Sequence, residues 1–294
     1  MSCNTCTTTF HDFFSDNLYT WCTNCGNYGI HAAMKRALVA ENIPPHQVVL
    51  CFDIGCNGNG SDKIGGYRVH GLHGRAIPLA CGASNANSKV KVIGFGGDGG
   101  TLGEGINHLV HAIRGNYNVT FVLHNNLNYG LTQGQASSTT KPGMKMNSAP
   151  DGITSDPLHP MNFVLSLNAS FAARTFSGDV HHMTKTFQAA VAHQGFAFVE
   201  VLQSCPTYNK ATPHEWYQER VYDVANRPDY DSSSLAQALA VCQDIEEHLA
   251  LGVLYQDKTR KPFMQRQANR LEITTELVDE VAPRSVDDLV GSFR

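Results

Sequence analysis

No stretch of this chain approaches the run of about eighteen apolar residues that a membrane-spanning helix requires, and no segment repeats at a fixed period. Basic residues are not in excess either. Lys and Arg number 22 against 26 Asp and Glu, a formal net charge of −4, so the footprint of a nucleic-acid binder is missing. The opening Met1-Ser2-Cys3-Asn4-Thr5-Cys6 is polar and lacks the apolar centre of a secretion signal, so a cytoplasmic location is expected. Neither a membrane nor a nucleic acid is expected as a partner. At 294 residues, 42 % of them hydrophobic, the chain can bury a sizeable core.

Glycine and cysteine, by contrast, are plentiful, and the densest glycine cluster surrounds Asp98 at positions 94, 96, 97, 99 and 100. Val90 to Phe95 is an apolar run broken only by Lys91. Thr101 to Ile113 carries Leu102, Ile106, Leu109, Val110 and Ile113 at helical spacing, and Val119 to Leu123 is a second apolar run. Strand, helix and strand in that order make a right-handed crossover between parallel strands. Asp98 and Asn126 then stand at the carboxyl ends of neighbouring strands, where open α/β sheets bind ligands. A carboxylate and an amide oxygen converging there suit a hard divalent ion such as magnesium, which also takes oxygens from a bound phosphate. The glycines let the backbone approach a diphosphate, and the following helix N-terminus adds partial positive charge. The same letters, Gly94-Phe95-Gly96-Gly97-Asp98-Gly99, also spell the G-x-G-x-x-G of a dinucleotide site. That reading needs an acid at the end of the second strand to hold a ribose, and His124-Asn125-Asn126 supplies none.

Patterning along the chain predicts one α/β domain over residues 16–252, a parallel sheet with helices on both faces. A polar N-terminal arm at 1–15 precedes it, and a tail at 253–294 is expected to dock on a partner. Helices are expected over Asn27 to Asn42, closed by Pro44-Pro45, from about Ala76, near Asn162 to Ala173, near His181 to His193, and over Ser234 to Leu251. Val48 to Phe52 and Phe196 to Leu202 read as strands. Asn126 to about Pro160 is polar and shows no period, which marks a functional or disordered loop. His31, His70, His108 and His111 match no motif and read as structural or surface residues.

Disulfides are not expected in the cytoplasm, so cysteines at C-x-x-C spacing point to metal or redox chemistry. Cys3/Cys6 and Cys22/Cys25 are two such pairs, and together they read C-x2-C-x15-C-x2-C, a zinc-site spacing. A second assignment takes Cys22, Cys25, Cys56 and Cys205, each at the end of an expected element, as the thiolates of a four-iron cluster. Spacing alone leaves both open. Cys51, Cys81 and Cys242 lie in apolar segments and read as small buried hydrophobes.

Trp21-Cys22-Thr23-Asn24-Cys25-Gly26-Asn27-Tyr28-Gly29-Ile30 resembles the W-C-x-x-C-G-x-x-G-I opening of the β subunit of 2-oxoacid:ferredoxin oxidoreductases. Ile54-Gly55-Cys56, Leu72-His73-Gly74-Arg75-Ala76-Ile77-Pro78 and Gly97-Asp98-Gly99 follow in that family's order. Asn126 with Tyr129-Gly130-Leu131-Thr132, then Gly134-Gln135, then Cys205-Pro206-Thr207-Tyr208-Asn209 complete it, over about residues 16 to 210. Two segments depart from the pattern. Asn57-Gly58-Asn59-Gly60-Ser61-Asp62-Lys63 stands for a shorter S-G-[RK] run, and Ser137-Ser138-Thr139-Thr140 for S-P-T-T. Both lie near the expected substrate or cofactor entrance, so substrate identity is what they leave open.

The resemblance implies a thiamine-diphosphate-binding fold and one [4Fe-4S] cluster on Cys22, Cys25, Cys56 and Cys205. It adds the main-chain carbonyl of Asn128 to the Asp98 and Asn126 oxygens around Mg2+. Thiamine diphosphate contacts fall on Gly55, His73, Gly74, Arg75, Gly97, Gly99, Gly130, Leu131 and Thr132. His73 and Arg75 are expected over the diphosphate or the reacting centre, with His73 as the catalytic candidate and a structural loop as the plainer alternative. In this family the activating glutamate lies on a separate pyrimidine-binding domain, for which the chain has no room. The resemblance therefore implies a larger α subunit that supplies this glutamate, the coenzyme A site and most substrate contacts, in an αβ or (αβ)2 assembly. The implied activity is the reversible, coenzyme A-dependent oxidative decarboxylation of a 2-oxoacid to acyl-CoA and carbon dioxide, with electrons passed through the cluster to ferredoxin. Among substrates, 2-oxoglutarate and pyruvate are favoured. A non-catalytic iron–sulfur or zinc-binding electron-transfer subunit on an α/β scaffold is the alternative. Cys3 and Cys6 become an extra pair on the arm. The purified protein is expected to be brown, with a broad visible absorption band that dithionite bleaches; a colourless protein holding zinc would contradict the cluster.

Overall fold

Ile30, Ala33, Met34, Ala37 and Leu38 recur at helical spacing and form the buried stripe of helix α1, Asn27–Ala40. Asn42 takes a left-handed conformation (φ +51°) just beyond it, and Pro44 prevents its continuation. The apolar run that follows is strand β1, Val48–Phe52. The computed structural model describes residues 7–281 and 286–292, so Cys3 and Cys6 lie outside the described residues.

Seven further strands follow: β2 Tyr67–His70, β3 Lys91–Gly97, β4 Thr120–Asn125, β5 Phe171–Phe176, β6 Ala197–Leu202, β7 Val221–Asp223 and β8 Leu249–Gln256. They form one eight-stranded sheet in the order β2-β1-β3-β4-β6-β5-β8-β7. Pairing is parallel from β2 through β5, and β8 turns antiparallel to β5. The helices between strands are α2 Ala76–Ala86, α3 Ile106–Gly115, α4 Pro160–Ser166, α5 Val180–Ala192, α6 His214–Gln218 and α7 Leu235–Val241. Alternation along the strands sends side chains to two separate cores. Phe52, Phe95, Val122 and Phe171 face α1 and α5, while Cys51, Phe121, Leu123 and Phe198 face α2, α3, α4 and α7. Cys51, Cys81 and Cys242 are buried among apolar neighbours, as their surroundings in the sequence suggest.

The central crossover forms as the pattern predicts, with β3 beside β4 and Gly97 opposite His124. Its helix starts sooner than the apolar spacing indicates. Asp98 leads directly into a π-helical segment, Gly99–Glu104, and α3 follows Gly105. Gly94 and Gly96, which head the dinucleotide-like motif, lie inside β3. A Cβ on either would come within 2.8 Å of the Phe121 ring, so these glycines serve strand packing and not a phosphate.

Two expected helices are shorter than their apolar content suggests. The helix expected to reach Ala173 stops at Ser166, because Phe171 to Phe176 pairs on both sides within the sheet. The helix expected to reach Leu251 stops at Val241, because Leu249 onward forms β8 beside β5. Continuous apolar runs suit a buried strand as well as a helix, and tertiary pairing decided for the strand. β2 carried no sequence signal, being short and exposed at the sheet edge. Beyond β8, the chain runs back over the body, with Phe263 stacked on Tyr117 at 4.5 Å and Arg260 donating to the Ile113 and Arg114 carbonyls. Among the described residues no helix is long and apolar enough to cross a membrane.

Phe52 and Phe95 stack at 4.6 Å beneath the carboxyl ends of β1 and β3, both rings buried. Phe95→Ala is expected to lower the unfolding free energy by about 3–5 kcal/mol in denaturant titrations. A loss under about 1 kcal/mol would contradict this packing account.

Candidate active site

Asp98 leaves the end of β3 and is buried, 1 % exposed. Its Oδ2 accepts the Ser137 hydroxyl at 2.5 Å and the Thr139 hydroxyl at 2.6 Å. No Lys, Arg or His among the described residues forms an ion pair with it. Burial pushes the carboxyl up to about 6, with the two hydroxyls partly offsetting the rise. Asn126 leaves the end of neighbouring β4 and is also buried. Its Oδ1 accepts the Asn128 backbone N–H at 3.3 Å, and its carbonyl accepts the Asn128 amide at 2.8 Å and the Asn209 amide at 3.1 Å. Leu127 between them is left-handed (φ +61°), which folds Asn128 back onto Asn126. The three expected metal ligands therefore line one cleft.

Glycines shape that cleft. A Cβ on Gly97 would meet only Asn57 Oδ1, at 3.9 Å, so the space above this backbone belongs to the cleft. A Cβ on Gly99 would strike the Tyr129 ring at 2.5 Å. Gly130 separates the sulfurs of Cys56 and Cys205, which a Cβ there would approach at 3.2 and 4.0 Å.

His73 reaches the cleft on a loop that Asp53 anchors. Asp53, at the end of β1, accepts the N–H groups of Ile54 and Gly74 at 2.8 Å each. Gly74 (φ +66°) presses against the Gly105 backbone, which a Cβ would approach at 2.6 Å. Burial pushes the Asp53 carboxyl up to about 6 as well. His73 Nδ1 is buried without a hydrogen-bond partner and stands 3.8 Å from Glu104 Oε1. The structure does not bring Arg75 into the cleft. Arg75 immediately precedes α2, and its exposed guanidinium donates to the Glu104 carbonyl at 2.9 Å on the outer side of the π-helical turn. Leu131 faces the cysteines, while Thr132 is exposed and bonded to Gln135. Gly55 (φ +111°) and Gly74 shape the loops without lining the cleft.

Cys22, Cys25, Cys56 and Cys205 line a second cavity of about 130 Å³. Burial pushes the Cys25 thiol up to about 11 and the Cys56 thiol up to about 12, and the neighbouring cysteines add to both rises. Among the described residues no three His, Cys, Asp or Glu side chains gather closely enough to hold a single metal ion. Cys56, Asn126, Gly130 and Gln203 line this cavity and the Asp98 cleft alike, so the two share a wall.

Several residues of this site gave no signal in the sequence. Asn57 Nδ2, Asn27 Nδ2, His124 Nε2 and Gln203 Oε1 all end at or beside the cleft, buried and without a hydrogen-bond partner. Burial pushes the His124 imidazole down to about 3, so it is neutral. Ser137 and Thr139 belong to the segment that departs from S-P-T-T, and a single sequence does not reveal that they fold onto Asp98. A larger cavity of about 390 Å³ lies on the far side of Thr139 and Asn125 and does not include Asp98.

The family described as "Thiamine pyrophosphate enzyme, C-terminal TPP binding domain" matches residues 53–201. The family of the C-terminal part of the pyruvate ferredoxin oxidoreductase beta subunit matches residues 205–271. The chain is 36 % identical over 261 residues to the 2-oxoacid:ferredoxin oxidoreductase subunit beta of Saccharolobus solfataricus, covering 85 % of this chain and 86 % of that one. It is 37 % identical over 217 residues to the 2-oxoglutarate oxidoreductase subunit KorB of Mycobacterium tuberculosis, covering 72 % and 58 %. A solved 2-oxoglutarate:ferredoxin oxidoreductase from Magnetococcus marinus, with 2-oxoglutarate, coenzyme A and succinyl-CoA bound, superposes with a TM-score of 0.87 at 28 % identity, covering 98 % of this chain and 96 % of that one.

The two raised carboxyls give the metal-free protein a pH signature. Folded, Asp98 and Asp53 hold their protons to about 6, whereas unfolded they lose them near 3.8. The native state thus binds more protons between those values, and stability falls as pH rises through the window. Asp98→Asn is expected to stabilise the metal-free chain at pH 7.5 by about 1–3 kcal/mol, and the gain is expected to shrink toward pH 4. Urea titrations at both pH values measure this. A variant no more stable than the parent at pH 7.5 would contradict the uncompensated burial of Asp98.

Proposed function

The chain belongs to the family of 2-oxoacid:ferredoxin oxidoreductase β subunits, and on that premise we propose that it holds half of an active site whose other half is a partner subunit. It carries a thiamine diphosphate-binding domain and is a subunit of an oxidoreductase, not a non-catalytic electron carrier. Bound thiamine diphosphate supplies the carbanion chemistry that cleaves a 2-oxoacid next to its keto carbon, and the protein supplies position and electrostatics. Asp98, Asn126 and the Asn128 carbonyl would hold the magnesium ion that accompanies a diphosphate. Among the described residues Asp98 has no cation of its own, and such a metal would balance its charge. The backbone of Gly97 and Gly99 lets the phosphates approach, and His73 and Asn57 offer unpartnered ring and amide nitrogens beside them. His124 is neutral and fixed by Asn27, so its free Nε2 can orient a group in the cleft without adding charge there.

Cys22, Cys25, Cys56 and Cys205 hold one four-iron cluster. Their raised thiols would lose protons on binding iron, and the wall of Cys56, Asn126, Gly130 and Gln203 shared by the two cavities supports an acceptor beside the cofactor. That shared wall is the observation that carries the reading. Ferredoxin would receive the electrons and coenzyme A the acyl group. The substrate is a 2-oxoacid, 2-oxoglutarate or pyruvate, and the relatives named for 2-oxoglutarate favour the first.

The need for a partner has a physical basis here. The cleft encloses only about 30 Å³, room for one or two small groups, so the cofactor's rings must be covered by another surface. Leu72, next to the cleft residue His73, is 74 % exposed, an apolar side chain left for another surface to cover. A larger α subunit packed here, in an αβ or (αβ)2 assembly, covers both.

The test is reconstitution. With the partner subunit, the complex is expected to bind iron and sulfide at four each per β chain and to reduce ferredoxin with a 2-oxoacid and coenzyme A. The chain alone is expected to show no turnover, and Asp98→Ala to lose thiamine diphosphate from the complex. Appreciable turnover by the isolated chain, or unchanged cofactor content in the variant, would sink the proposal.

A further inference from the structure

Among the four converging cysteines, Cys25 is distinguished by a side-chain donor. Gln203 Nε2 lies 3.7 Å from Cys25 Sγ, and no other side-chain N–H among the described residues donates to one of these sulfurs. The same nitrogen donates to Asn27 Oδ1 at 3.1 Å, so its two protons serve the sulfur and the amide. Asn27 Oδ1 also accepts His124 Nδ1–H at 2.8 Å, which ties the Gln203 amide to the floor of the cleft. The aliphatic part of Gln203 is equally confined. Its Cγ stands 2.6 Å from where a Cβ on Gly26 would be, its backbone N–H donates to the Asn125 carbonyl at 2.9 Å, and the residue is 1 % exposed. Turning the amide over would place Oε1 against both Cys25 Sγ and Asn27 Oδ1, pairing oxygen with two acceptors. Asn27 therefore fixes which way round the amide stands.

We propose that Gln203 is a positioning residue that raises the reduction potential of the cluster held by Cys25, through its Nε2–H···Sγ bond, with Asn27 holding the amide in that orientation. The inference rests on the cluster reading given above. Reduction adds one electron and breaks no bond, and part of the added charge falls on the thiolate sulfurs. An N–H dipole aimed at a sulfur stabilises the more negative, reduced state more than the oxidised one, as hydrogen bonds to cluster sulfurs are known to tune potential. Gln203 lies in the wall shared by the cleft and the cysteine cavity, so the effect acts where electrons leave the cofactor site.

The test is a redox titration of the assembled αβ complex, followed by the electron paramagnetic resonance of the reduced cluster. Gln203→Met keeps the length of the side chain and removes the donor. Its equilibrium constant for one-electron reduction is expected to fall about tenfold, a midpoint about 59 mV more negative. The parent complex in D2O is expected to show an exchangeable deuteron coupled to the cluster, and the Met variant to lose it. If Gln203→Met does not take up a cluster, Gln203→Glu keeps the shape and replaces the donor with a carboxylate. At pH 8.5 it is expected to lower the midpoint further than Met. A midpoint unchanged by whichever variant retains its cluster, or a deuteron coupling that survives it, overturns the role of Gln203. A parent complex without a four-iron signal overturns the cluster reading itself, and this inference with it.

Discussion

Asp98 is buried just past the carboxyl end of strand β3, with two hydroxyls for company and no cation paired to it among the described residues. The nearest route to a buried positive charge is indirect. Thr139 Oγ1, whose proton goes to Asp98, also lies 3.1 Å from Asn125 Oδ1, Asn125 donates to Glu200 at 2.7 Å, and Glu200 pairs with Arg174 at 2.8 Å. The charge of Arg174 is thus already matched by Glu200, and Asp98 receives only the Ser137 and Thr139 hydroxyls. A carboxylate held this way is costly to ionise, so its carboxyl is raised to about 6, and above that pH it stands as a buried charge without a counter-ion. Around it lie glycines that keep Cβ atoms out of the space above, a turn that folds Asn128 onto Asn126, and unpartnered nitrogens on Asn57 and His73 from two separate loops; on the reading proposed above, a cation would complete this arrangement.

That arrangement follows from how the strands are ordered. Placing β3 beside β4 sets Asp98 and Asn126 at the same level, since Gly97 lies opposite His124. Placing β6 on the other side of β4 brings Gln203 and Cys205 to the same edge, next to Asn125 and Asn126. Cys22 and Cys25 come in from the segment before α1, and Cys56 from the loop after β1. Cysteines far apart in the chain therefore meet because parallel strands end together. The same edge produces both cavities and the wall between them.

Much of this was legible in the chain. Asp98 and Asn126 could be placed from the alternation of apolar runs and a helical stripe, because that crossover is built from local signals. The four cysteines could be grouped only through several motifs in a known order, since their spacing alone fits zinc equally well. Asp53, Ser137, Thr139, Asn27 and Gln203 were not legible. Their roles depend on backbone turns and on contacts across more than a hundred positions, as between Gln203 and Asn27. Arg75 shows the converse. Its type suits a phosphate, yet its position just before α2 turns it outward to the Glu104 carbonyl. Apolar runs misled where burial on both faces made a strand such as β5 look like the end of a helix.

One edge of this sheet, on the reading developed above, holds a metal-bridged cofactor and an iron–sulfur cluster on either side of Gly130 and Gln203. Anomalous scattering at the iron edge, from crystals of the assembled complex grown with thiamine diphosphate and magnesium, tests that claim most directly. The expected result is a single compact iron peak among Cys22, Cys25, Cys56 and Cys205, and a separate, iron-free metal density between Asp98 and Asn126. Iron bound elsewhere in the chain, or no metal density between Asp98 and Asn126, would contradict it.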